Sequence, residues 1–111
     1  RGIYLKNNHA SLTLQTSVVW FSSNTTSAND TLDMALAGEG VNATMETIAN
    51  ESAAPSGESF SAPASKGAGL AVGNVAFGQR YGLWLRRTVS AAAAAVNANS
   101  ATISWEGDTS A

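Results

Sequence analysis

One hundred and eleven residues are enough for one hydrophobic core and too few for two, so residues 1–111 read as a single domain. Ala, Ser, Thr, Gly and Asn supply 64 of the 111 residues, and charged residues make up only 13% against about 25% in ordinary globular chains. A net charge of −2 with six basic residues gives no broad positive field, which argues against nucleic acid and membranes as partners.

The absence of cysteine removes disulfides, thiolate metal sites and a cysteine nucleophile together. No apolar run approaches the roughly 20 residues of a membrane span. The opening residues already belong to a strand, so the expectation is a piece of a longer chain.

Ile3 and Leu5 alternate with Tyr4 and Lys6, the period of a half-buried strand, and Asn7, Asn8 and His9 end it in a turn. Leu12 and Leu14 then alternate with Thr13 and Gln15. After Ser17 come Val18, Val19, Trp20 and Phe21, apolar on both faces and the best candidate for a central strand. Residues 22–30 are mostly Ser, Asn and Thr, with the polarity of a loop. Leu32, Met34 and Leu36 alternate with Asp33 and Ala35, which predicts a strand closed by Gly38 and Gly40.

Residues 41–66 break into apolar islands, Met45 with Ile48 and a lone Phe60, divided by Pro55 and Pro63. Short edge strands and long connections are expected there. Residues 70–75 predict a short strand that turns through Gly78 into the next, residues 80–89, where Tyr81, Leu83, Leu85 and Val89 alternate with Trp84, Arg86 and Thr88. Arg87 interrupts the apolar face, so either a bulge shifts the register or the strand end leaves the core. The five alanines 91–95 are too few for a stable helix and predict a loop. A last strand covers 101–106, with Ile103 and Trp105 on one side, before a polar tail from Gly107 to Ala111.

Six to eight short strands without an amphipathic helix predict an all-β chain folded as an antiparallel β-sandwich. The expected core is Ile3, Leu5, Leu12, Leu14, Val18, Trp20, Leu32, Met34, Leu36, Leu83, Leu85 and Ile103.

Little in the chain assembles into a reaction centre. The sole histidine, His9, sits in a polar turn and reads as a solvated side chain, not as a catalytic base. Asp30 and Asp33 with Asn29 carry oxygen ligands but lack the glycine and distal glutamate of a calcium loop, and read as solvated. Glu39, Glu46, Glu51 and Glu58 all fall in the loose middle section, where no scaffold fixes a glycosidase pair. No glycine pattern supports nucleotide binding. Four Asn-x-Ser/Thr sequons, at Asn24, Asn29, Asn42 and Asn50, exceed only slightly the roughly two that this composition yields by chance. The predicted state therefore has no enzymatic activity, no metal and no cofactor. Candidate interface residues are Arg86 and Arg87, because guanidinium suits interface ion pairs, together with Trp84, Trp105 and Tyr4 as paired surface aromatics.

The opening Ile3-Tyr4-Leu5-Lys6-Asn7-Asn8-His9, with Leu12-Thr13-Leu14 and Val18-Val19-Trp20, resembles a hairpin of immunoglobulin-like domains. Residues 70–73 and 77–89 resemble the later hairpin of the same class, a glycine turn followed by a long strand. Residues 4–14, 60–66, 83–91 and 103–108 together resemble a module of virion structural proteins of tailed bacteriophages. The resemblance spans nearly the whole chain and implies an immunoglobulin-like sandwich, a place in a virion as capsid decoration or tail-associated module, and contacts with other virion proteins in repeated copies. It transfers no catalytic residue. Two alternatives accompany it: an adhesin on a tail appendage that stacks a sugar on Tyr4, Trp84 or Trp105, and a surface-layer or pilus subunit.

Overall fold

The computed structural model describes residues 1–109. Six strands form among them: β1 (Gly2–Lys6), β2 (Leu14–Ser23), β3 (Asp30–Val41), β4 (Leu70–Val75), β5 (Arg80–Val89) and β6 (Thr102–Thr109). They make two antiparallel three-stranded sheets, one in the order β1-β5-β3 and the other β4-β2-β6. A shared core lies between the sheets, with Met34 and Leu83 from the first against Val19, Phe21, Val72 and Val75 from the second. The all-β prediction holds with six strands, the lower end of the expected six to eight, and the long strand over Arg80–Val89 has the bounds the alternation gives.

The connectivity departs from expectation. Successive strands lie in alternate sheets, so no two consecutive strands pair. The hairpins expected from residues 3–14 and 70–89 are instead arches that carry the chain from one sheet to the other. Gly78, at φ 74°, does make the predicted turn between β4 and β5, yet the strands it joins face each other across the core.

A second correction concerns which side of β2 is buried. Ser17, Val19 and Phe21 face the core, whereas Val18 and Trp20 are half-buried on the opposite side. Thr16 adopts a left-handed φ of 48°, and the pairing with β4 and β6 slips on either side of Ser17. One extra residue in a strand inverts every later side chain. The alternation that begins at Leu12 and Leu14 therefore cannot be carried through to Val18 and Trp20. Val18 is covered from the other side by a 3₁₀ turn, Lys66–Ala68: a Cβ on Gly69 would lie 2.3 Å from Val18 Cγ1.

Residues 42–60 form no edge strands. They fold back over the outer face of the first sheet, where Met45, Ile48 and Phe60 pack on Ala35, Ala37 and Trp84 in a second small core. Ser61, just beyond them, bridges to Met34 of β3. Small residues admit this cover. A Cβ on Gly82 would stand 2.4 Å from Met45 Cγ and 2.8 Å from Ala37 Cβ, so only glycine lets the methionine lie flat on the sheet.

The alanine run after β5 is a loop with a single turn at its start, as predicted. The last strand is longer than expected. Gly107, Asp108 and Thr109 belong to β6 and not to a polar tail, while Ser110 and Ala111 lie outside the described residues.

Candidate contact surfaces

Two arginines on successive positions of β5 reach two aspartates on β3. Arg86 pairs across the strand with Asp33, its Nη2 donating at 2.7 Å and its Nε at 3.2 Å to Oδ2. Arg87 donates through Nε and Nη2 to Asp30 Oδ2, and Asn99 Nδ2 donates to the same oxygen at 2.8 Å. The register between β3 and β5 is unbroken from Asp30 to Leu36, so no bulge explains Arg87. The strand end leaves the core there, as residues 86–89 are all exposed.

The two pairs differ in environment. Asp33 is partly open, whereas Asp30 is 3% exposed, so the expectation of solvated aspartates fails for Asp30. A buried carboxylate needs a partner, and Arg87 with Asn99 supplies it.

Tyr4, Trp84, Arg86 and Arg87 line one groove of about 1120 Å³ on the first sheet, walled on its far side by residues 46–55. Trp84 does not present its ring to solvent: at 4% exposure it is the centre of the small core beneath Met45, Ile48 and Phe60. The expectation of a surface tryptophan is corrected accordingly, because the middle segment covers the outer face of β5. Arg86 stacks over Phe60 at 4.5 Å, and Arg80 stacks over Tyr4 at 4.7 Å. Tyr4 remains exposed along its edge, with its hydroxyl accepting from Met45 N at 2.9 Å. Trp105 lies in the other sheet, half-buried against the main core through its pairing with Val19. The structure thus brings four of the five expected interface residues together and leaves Trp105 apart.

Other polar groups organise the loops. His9 Nδ1 accepts from Ser11 N at 3.1 Å and Leu12 N at 3.0 Å, so this histidine shapes its turn instead of merely being solvated there. Glu58 accepts from Gly38 N, Glu39 from Glu46 N, and Glu46 from Ser56 N, which ties the middle segment to itself and to the end of β3. Among the described residues no group of three His, Cys, Asp or Glu side chains could hold a metal ion.

The sheet edges are treated unequally. On β3 the outward backbone groups are those of the even-numbered residues, and partners meet them at residues 30, 32, 34 and 38. Thr25 Oγ1 donates to Asp30 O, the Asn24 side chain donates to Leu32 O and accepts from Leu32 N, Ser61 exchanges both backbone bonds with Met34, and Glu58 takes Gly38 N. Side chains here imitate a neighbouring strand. On β4 the edge is bent by Gly73 at φ 83°. On β6 the edge is open: among the described residues β6 pairs with β2 on one side and with no strand on the other. Sequence reasoning missed these edges, since nothing in a strand's own residues tells which of its sides will be paired. The Asn24 clamp left a trace only as one of four sequons.

No family model, curated protein or solved structure matches the chain.

Proposed function

We propose that this chain is a non-enzymatic structural protein of a tailed-bacteriophage virion, a two-sheet β module that decorates the capsid or accompanies the tail beside other virion proteins in repeated copies. One observation carries the reading: the side chains best suited to gripping a small ligand are already engaged by partners within the chain. Trp84 lies beneath its cover, Arg86 and Arg87 are fastened to Asp33 and Asp30, and Tyr4 is bracketed by Arg80 and Met45. What faces outward is largely Ser, Thr, Ala and Asn, a surface suited to weak contacts multiplied by repetition. The adhesin alternative needs an open aromatic face, and of Tyr4, Trp84 and Trp105 only Tyr4 is well exposed, at 42%.

Gold-labelled antibody against the chain, applied to purified particles from the source and viewed by electron microscopy, tests the proposal. Label on the capsid or tail is the expected result. Bare particles with the antigen recovered elsewhere would overturn it, and binding of the purified chain to a glycan array would move the reading to the adhesin.

A further inference from the structure

The free edge of β6 has a definite chemistry. Phe21 N donates to Pro63 O at 2.8 Å, on the side of β2 away from β6, so Val19 and Phe21 turn their backbone groups from β6 while Val18 and Trp20 turn theirs toward it. Val18 and Trp20 stand opposite Glu106 and Ser104. By the alternation of a strand, the N–H and C=O groups of Ile103, Trp105 and Gly107 point away from β2, to a side where no strand lies among the described residues. This contrasts with β3, whose outward groups at residues 30, 32, 34 and 38 are met by Thr25, Asn24, Ser61 and Glu58.

We infer that β6 pairs edge to edge with β6 of a second copy of this chain, antiparallel about a two-fold axis at Trp105, joining two three-stranded sheets into one of six strands. The sequence of the strand selects both occupant and register. With the axis at Trp105, Glu106 faces Ser104 of the copy and Asp108 faces Thr102, so both acids of the strand meet hydroxyls. Moving the axis to residue 106 would set Glu106 against its own copy, which cross-strand electrostatics disfavours. The axis at 105 pairs seven of the eight residues and places Trp105 opposite itself, a favourable aromatic pair. An isologous contact of this kind closes on itself and does not propagate into fibres. Glu106 is already paired with Lys66 at 3.0 Å, which lowers the charge that the edge presents.

The inference rests on the open edge and the residue order of β6 and not on the virion reading, so a monomeric chain would overturn it and leave the antibody label to decide the other. The chain has no cysteine, which makes the test clean. Chains carrying Ser104→Cys and Glu106→Cys are mixed in equal amounts and oxidised, and each is oxidised alone. The expected result is a cross-linked heterodimer forming faster than either homodimer, because residues 104 and 106 face each other only across this axis. Sedimentation of the full chain then reads the charge rule. Thr102→Asp, facing Asp108 of the copy, weakens the dimer roughly three- to tenfold, and Thr102→Lys strengthens it. A chain that sediments as a monomer at about 0.1 mM, mixed cysteines that cross-link no faster than single ones, or Asp and Lys at 102 shifting the equilibrium alike would each overturn the inference.

Discussion

The side-chain amide of Asn7 reaches 68 residues along the chain to donate to the carbonyl of Val75 at 2.9 Å, and its other N–H donates to Leu12 O at 2.8 Å. Its Oδ1 accepts from His9 N, its backbone N–H donates to Gln79 O, and its C=O accepts from Gly78 N. One nearly buried asparagine thus ties the β1–β2 arch to the β4–β5 arch. Replacing it by alanine leaves the Val75 carbonyl, at the buried end of β4, without that donor. We expect Asn7→Ala to cost about 2–4 kcal/mol in urea unfolding. Asn7→Asp, which keeps the acceptor for His9 N but loses both donors, should fall in the same range, showing that the donors matter most.

The two arginine pairs predict unequal losses. Arg86→Gln breaks a pair open to solvent on both sides and should cost under about 1 kcal/mol. Arg87→Gln removes the chief partner of a carboxylate that is 3% exposed, leaving Asn99 alone on it, and should cost about 2–4 kcal/mol. Equal midpoints for the two variants in thermal unfolding would contradict the difference in burial.

At Gly82 the expected cost has a named origin. Gly82→Ala drives a methyl group into Met45 and Ala37, and overpacking of this kind costs about 1–3 kcal/mol. Met45→Ala alone opens a cavity over Trp84. The double variant should lose less than the sum of the two single losses, because the added methyl then occupies space that the methionine vacates. Denaturation of all four chains gives the coupling directly.

Asn24→Ala uncaps the edge of β3 at Leu32, freeing one N–H and one C=O. The expected outcome is a modest stability loss, about 1–2 kcal/mol, with faster hydrogen exchange at Leu32 and a greater tendency to aggregate on gentle heating. Unchanged exchange at Leu32 would show that the Asn24 clamp does not protect that edge.

Strand positions were largely legible because period-two alternation survives in β1, β3, β5 and β6. Ile3 with Leu5, and Leu83 with Leu85, face the core as their spacing implies. The face of β2 was not legible. Val18 to Phe21 is apolar on both sides, and a bulge at Thr16, whose own residue type gives no warning, settles which side is buried. Trp84 was misread for a related reason. Its cover, Met45, Ile48 and Phe60, is supplied from 24 to 39 residues upstream by a segment without periodicity. Asp30 looked like a loop residue because its partners, Arg87 and Asn99, lie 57 and 69 residues away. The edges that decide the contact surfaces depend on strand order, which no local pattern encodes.

The alternation of sheets along the chain has a consequence for how the molecule comes into being. Without a pairing between successive strands, β1 has no partner until Arg80–Val89 has been made, and β3 waits for the same strand. On a ribosome the first sheet therefore stays open until some four-fifths of these residues have emerged, so the young chain passes through synthesis with its apolar strands unsheltered. Folding dominated by such distant pairings is slow. A composition this rich in serine, threonine and asparagine and this poor in long apolar runs helps that waiting polypeptide stay in solution until β5 arrives.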